Sequence, residues 1–327
     1  MRYTIASFAA MALMAGCAQA PSQPGSAATV KITPLGSHDG EFCPFDRAMI
    51  FEDPDGTRIL YDAGRTVRGP NDPRLGRIDA VLLSHVHGDH LGDLIQPSAN
   101  AGACAKPDFS VKVTPNSNSV NIVLGKQAPL IVGGEAHSFF QAKVKSLGGD
   151  PGKLVRLVRF GAQTMVGKVM VAGVPAVHSN GLPPAFLPPE QAKMFEATGL
   201  TAYVGPPGGF VLRFSNGLTA YLSGDTGITA EQDLVVRGHY KSNLVVMNIG
   251  GFPFTTGPAE AAYVVNDLVR PRSVIPSHAN EPATINGKVT PNSRTAAFMS
   301  AAKMPVHVPL SGRTMQFDGN GSCQSGC

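Results

Sequence analysis

From residue 29 onward, short apolar runs are punctuated by glycine-rich turns. "TVKITPLG" (29–36) alternates apolar and polar residues with period two and predicts a strand. "AMIFEDPDGTRILYDAG" (48–64) predicts a hairpin, because two β-rich runs flank the turn signal Asp-Pro-Asp-Gly. "RIDAVLLSH" (77–85) is a continuous apolar run, which predicts a strand buried on both faces. "HLGDLIQPSA" predicts a short helix, "VKVTPN" and "VNIVLG" predict strands, and "EAHSFFQAKVKSLGGD" predicts a helix stopped by Gly148 and Gly149.

The second half repeats the theme. "TMVGKVMVAGVPAVHS" predicts one or two strands, and "GGFVLRFSNGLTAYLSGDTG" a hairpin turning at Asn216-Gly217. "SNLVVMNIGG" and "SVIPSHAN" predict buried strands. Between them "GPAEAAYVVNDLVRP" predicts an amphipathic helix, with Pro258 in its first turn, Glu260 near its N-terminus and Pro271 past its end. "VHVPLSGRTMQFD" predicts a closing strand pair. Strands precede helices in each half, so the expected class is α/β: two packed β-sheets with helices outside.

The chemistry concentrates in "LLSHVHGDHLGD" (82–93), which carries three of the nine histidines. His85 and His87 sit one residue apart at the end of the buried run, so their side chains can converge on one ion. Asp89 and His90 diverge from them and suit a second ion beside the first, with Gly88 allowing the tight turn. Imidazole and carboxylate are the donors of catalytic zinc sites, and H-x-H-x-D-H is a long, chemically consistent match. Four residues cannot complete two sites. His178, Asp225 and His278 each follow an apolar run and are the expected remaining ligands. His137, His239 and His307 are read as structural or solvated.

"HVHGDH", then a lone histidine, then "SGDT", then a late histidine after an apolar strand resembles the metallo-β-lactamase-fold hydrolase superfamily over roughly residues 29–318. The resemblance implies an αββα sandwich. It implies that His85, His87 and His178 bind one divalent metal ion and Asp89, His90 and His278 a second, with Asp225 bridging. "SGDTG" is of the type found in the phosphodiesterase, lactonase and thioesterase branches rather than in true β-lactamases. "GPAEAAYVVNDLVRPRSVIPSHANE" is similar to a branch of predicted hydrolases related to ascorbate-phosphate lactonase. The implied activity is therefore cleavage of an ester-type bond by water activated between two ions, with Asp89 and Asp225 the catalytic carboxylates. Zinc (Zn2+) is favoured and manganese (Mn2+) is the alternative. A β-lactam hydrolase, a non-catalytic metal binder and a redox di-iron protein are the competing readings. The loop "GGFPFTTG" (250–257) with Phe252, Phe254, Thr255 and Thr256, the proline-rich 178–195 stretch, His38 and Asn280 are candidates for the pocket wall.

Composition narrows the partners. The 327 residues are 43% apolar and 15% charged, with a formal net charge of +4 and no basic block, which excludes a nucleic-acid binder and leaves a small-molecule substrate. Residues 1–16 combine Arg2 with an apolar stretch too short to span a bilayer. "LMAGC" resembles a bacterial lipoprotein signal, which would lipid-anchor Cys17 to the periplasmic face of a membrane; an ordinary secretory peptide is the alternative. Residues 17–28 read as a flexible tether, 29–318 as the hydrolase domain and 319–327 as a cysteine-containing tail. In an exported chain the remaining cysteines suggest disulfides. Three pairings are open; Cys43 with Cys104 and Cys323 with Cys327 are favoured over a metal site at "CQSGC", which has no histidine nearby in sequence.

Overall fold

The computed structural model describes Met1 and residues 28–327; the signal-like segment, Cys17 and nearly all of the tether lie outside the described residues. Two mixed sheets face each other. The larger runs in the order 155–157, 130–132, 80–82, 58–61, 49–52, 30–34, 315–317, 323–325. The smaller runs 163–166, 169–175, 208–213, 219–222, 244–248, 273–277. In both, an antiparallel meander gives way to parallel strands: 58–61, 80–82 and 130–132 in one, 219–222, 244–248 and 273–277 in the other.

Side-chain alternation explains why both sheets are covered on each face. In the strand Leu244–Asn248, Leu244 and Val246 point into the core between the sheets, whereas Val245 and Met247 point to the outer helices. Ala80 and Leu82 likewise face the other sheet and Val81 faces the helices behind. The helices Asn118–Lys126 and Ala136–Ser146 cover the larger sheet. Helical segment 258–269 and the helix Arg294–Ala301 cover the smaller one. This is the expected αββα sandwich, and the 48–64 and 208–222 hairpins form as the turn signals predict.

Three local expectations fail, and one strand was not anticipated. "VNIVLG" lies within the helix Asn118–Lys126, because the Ser117 side chain caps its N-terminus by accepting from the Val120 amide and the buried residues follow a helical face. The unanticipated strand Leu130–Val132, parallel to Ala80–Leu82, is an apolar run of only three residues between Pro129 and Gly133. "HLGDLIQPSA" does not open a helix: one turn, Gly88–Leu91, ends at left-handed Gly92, and Leu94–Ile95 is a two-residue strand. His307 is not in a sheet ladder; its amide bonds the Val274 carbonyl beside one isolated bridge.

Both favoured cysteine pairings form, Cys43 with Cys104 and Cys323 with Cys327. The sequence argument against a metal site at the tail is corrected in one respect: folding brings the His307 ring within 4.8 Å of both tail sulfurs.

Candidate metal centre

The strands 80–82, 169–175, 219–222 and 273–277 end on the same side, and the loops after them bring the seven expected residues to one place; all but 169–175 lie in the parallel parts of the sheets. His85 and His87 leave the strand Ala80–Leu82, with Asp89 and His90 on the single turn that follows. His178 follows Val169–Pro175, Asp225 follows Thr219–Leu222, and His278 follows Ser273–Ser277. Three of the four strand ends are in positions where ligands gather in open α/β sheets.

Two donor sets result. In the first, His87 Nδ1 lies 3.1 Å from both His85 Nε2 and His178 Nε2. In the second, His278 Nε2 is 3.5 Å and His90 Nε2 4.0 Å from Asp89 Oδ2. Asp225 lies between them. Its Oδ2 is 3.0 Å from His278 Nε2, 3.8 Å from His178 Nε2 and 4.0 Å from His85 Nε2, and its Oδ1 is 3.3 Å from His90 Nε2.

Divalent ions fit these sets. Nitrogen ligands about 2.0–2.1 Å from a tetrahedral zinc are spaced about 3.3–3.4 Å apart, close to the separations above. Several of the atoms that face the centre are buried without a hydrogen-bond partner: His90 Nε2, His278 Nε2 and Asp225 Oδ1. A buried polar atom left unpaired is expensive, and a shared cation satisfies all three.

The surroundings fix the donors. Asp62, at the end of the strand Arg58–Tyr61, accepts from the Ser84 amide and hydroxyl, and its Oδ2 lies 2.7 Å from His90 Nδ1. A proton on Nδ1 then leaves Nε2 as the free lone pair, the arrangement carboxylate–histidine–metal triads use. Arg47, with its side chain 1% exposed, places Nη2 3.0 Å from Asp89 Oδ2 and 3.4 Å from Asn280 Oδ1. The loop bearing Arg47 is held by Asp46, which accepts from the amides of Ser37 and Cys43. Burial pushes the Asp46 carboxyl up to about 7 against those hydrogen bonds. Across the sheet interface, the Gly224 amide donates to the Tyr61 hydroxyl at 3.0 Å. Gly224 has φ +60°, and a Cβ there would come within 2.7 Å of the Gly208 carbonyl oxygen, so the "SGDT" turn needs glycine.

Electrostatically the sets differ. Burial lowers the His85, His87 and His178 pKa values, assisted by neighbouring imidazoles, which keeps these rings neutral and able to ligate. Burial also opposes charge on His90, but the carboxylates of Asp225, Asp62 and Asp89 outweigh it and push His90 up to about 10, so an ion bound at Nε2 would displace a proton from it. Burial disfavours the Asp89 and Asp225 carboxylates. Arg47 then holds Asp89, and His278 and His90 hold Asp225, well below the usual range.

A cavity of about 500 Å³ opens over the donors, lined also by Pro44, Phe45, Ser179, Phe254 and Asn280. Of the expected wall residues, Phe254 and Asn280 are present. Thr256 is instead buried and bonded to Asn248, and Phe252 projects into solvent beside the opening. His38 does not reach the centre: its ring lies against the Gly102 carbonyl and the Ser37 hydroxyl. The proline-rich stretch contributes His178 and Ser179, but its helix Pro189–Thr198 is not part of the lining. Asp62, Arg47 and Phe45 were not singled out in the sequence. Asp62 carried one faint signal, a carboxylate directly after a predicted strand.

Comparison with known proteins agrees with this geometry. The family described as "Beta-lactamase superfamily domain" matches residues 57–279. A UPF0173 metal-dependent hydrolase of Cupriavidus necator is 33% identical, with 81% of each chain covered. Among solved structures, the metallo hydrolase Igni18 of Ignicoccus hospitalis has a TM-score of 0.57 at 21% identity, covering 89% of this chain and 99% of that one. The metallo-beta-lactamase fold protein YhfI of Bacillus subtilis has a TM-score of 0.54 at 13% identity, covering 88% and 99%. With its sandwich, its matched domain and this relative, the chain belongs to the metal-dependent hydrolases of the β-lactamase superfamily.

Proposed function

We propose that the chain is a dinuclear metal hydrolase that cleaves an ester-type bond in a small molecule, with residues 29–318 as its catalytic domain. The observation that supports this best is Asp225, whose two oxygens lie 3.0–4.0 Å from imidazoles of both donor sets. His85, His87 and His178 would hold one ion, Asp89, His90 and His278 the other, and Asp225 would bridge them. Divalent ions bound there, zinc by the softness of the imidazole donors and manganese as the alternative, would lower the pKa of a shared water and polarise the substrate's oxygen.

The chain's own residues have distinct tasks. Asp62 fixes the His90 tautomer, so that Nε2 faces the centre. Arg47 holds one oxygen of Asp89, which keeps that carboxylate oriented at the cavity wall, where it can relay a proton from the attacking water to the departing group. Asn280 gives its carbonyl oxygen to Arg47, which leaves its amide –NH2 free of that contact. The test is twofold: elemental analysis of the purified protein, expected to find two divalent ions per chain, and a screen of lactones, thioesters, aryl esters, aryl phosphodiesters and a chromogenic cephalosporin. Iron with a visible absorption band would favour the redox alternative, and turnover of the cephalosporin alone the lactamase one.

We further propose export, with Cys17 as the lipid-bearing residue. Arg2, the short apolar stretch and "LMAGC" support it. Metabolic labelling with a fatty acid, expected to mark the wild type and not Cys17→Ser, checks it.

A further inference from the structure

The wall of the cavity that is not made of metal donors contains no free charge. Among the described residues lining it, the polar groups left over are the Ser179 hydroxyl and the Asn280 amide, both neutral. No arginine or lysine is among the described lining residues, and two of the guanidiniums nearby are paired with carboxylates. Arg47 is buried against Asp89 and Asn280. Arg65 makes a two-pronged pair with Asp93 at 2.7 and 2.8 Å. Arg294 donates to the carbonyls of Ala279 and Asn280.

The rest of the wall is aromatic. The Phe45 ring is fixed edge-on to Phe109 at 5.5 Å, with the Arg65 guanidinium 5.0 Å from its centroid. Phe45 holds a φ of +66°, unusual for a bulky side chain, and the surrounding loop maintains it. Phe254 stands at the opposite lip, 66% exposed. Beyond it the loops carrying Val177, Thr226 and Thr256 are hydrogen-bonded to one another, so that exposed Val177, Ile228, Phe252 and Phe254 form an apolar rim. Exposed aromatic side chains around a concave polar floor are a recognition surface for apolar groups.

We propose that this cavity selects a neutral carbonyl substrate, an ester, lactone or thioester, whose acyl or leaving portion is an uncharged aromatic group seated between Phe45 and Phe254. A phosphodiester would then be the poorer substrate, because its single negative charge finds no cationic side chain among the described lining residues and its recognition would fall to the bound ions alone. The reaction is balanced by water alone. Its oxygen bonds to the carbonyl carbon, the C–O or C–S bond breaks, and the departing oxygen or sulfur takes a proton, giving an acid and an alcohol or thiol. This inference rests on the hydrolase reading, but its test separates the two.

Metal-replete protein is assayed with the phenylacetyl and acetyl esters of one alcohol and with an aryl phosphodiester. The phenylacetyl ester is expected to show a kcat/KM about tenfold or more above the acetyl ester, with the phosphodiester below both. In Phe45→Ala/Phe254→Ala the phenylacetyl-to-acetyl ratio falls towards one. Phe45→Leu keeps apolar bulk and retains part of it, which guards against a misfolded double variant. Calorimetric titration with benzyl methyl ketone, which cannot be hydrolysed, gives an independent readout: it should bind more tightly than acetone in the wild type, with the difference lost in the double variant. A faster phosphodiester, or a ratio that survives the double substitution, overturns the inference. Should no compound be hydrolysed while the ketone still discriminates, the aromatic site stands and the hydrolase reading falls.

Discussion

The two donor sets sit within one cavity, yet they are built differently. His85, His87 and His178 are three neutral imidazoles on loop ends, supported by hydroxyls: Ser84 Oγ is 3.0 Å from His85 Nδ1, and Ser179 Oγ 3.3 Å from His87 Nε2. Asp89, His90 and His278 mix carboxylate with imidazole and are braced by an acidic and a basic side chain, Asp62 behind His90 and Arg47 behind Asp89. Charge-assisted contacts are about twice as strong as neutral ones, so the second set is the stiffer of the two. The first set, nearer solvent, would exchange its ion more readily and adapt to the substrate.

Removing the shared carboxylate should break the comparison outright. Asp225→Ala is expected to lower kcat by about 10³-fold or more and to reduce metal content at both sets, as read by elemental analysis. Full activity in a metal-replete variant would exclude the bridging role. Next in size is Arg47→Met, which takes the guanidinium from a half-buried Asp89 and leaves His278 as its nearest partner. A stability loss of about 1–3 kcal/mol in metal-free protein is expected, measured by urea denaturation. Bracing is compared directly by chelator competition. Asp62→Asn should weaken one ion by about 10–100-fold, whereas Ser179→Ala should weaken the other much less; equal losses would mean that the sets do not differ in support.

The last comparison concerns the loop that carries Arg47. Asp46 binds its proton more tightly in the folded chain, so the folded state takes up more protons than the unfolded one between pH 3.8 and about 7. Stability should therefore be greatest below that window and fall as pH rises through it. Asp46→Asn should flatten this part of the pH profile of Tm; an unchanged slope would assign it to other groups.

The residues that gather at the candidate centre were readable from sequence because they follow the ends of apolar runs, and a strand end in such a sandwich is a fixed address. Their supports were not readable. Asp62 lies 28 positions from His90, and Arg47 lies 42 from Asp89. Neither spacing has a local signature, since sheet pairing alone creates the proximity. Phe45 was hidden for the same reason, being carried to the cavity by a loop stapled through Asp46 and the Cys43–Cys104 bond. His38, five residues before Cys43, turned away into that same loop. The misread "VNIVLG" shows the limit of short apolar runs: strand and helix share that pattern, and the cap at Ser117 decided between them.

The larger sheet finishes in the three-residue strand Cys323–Ser325, and a covalent ring closes directly behind it. Exposed strand borders invite neighbouring molecules to add on, amide by amide, and so to precipitate. Here the border is too brief, and its continuation too tightly looped, to seed such growth. Opening that ring alone, in Cys323→Ser/Cys327→Ser, should therefore make solutions cloud sooner on warming than the wild type.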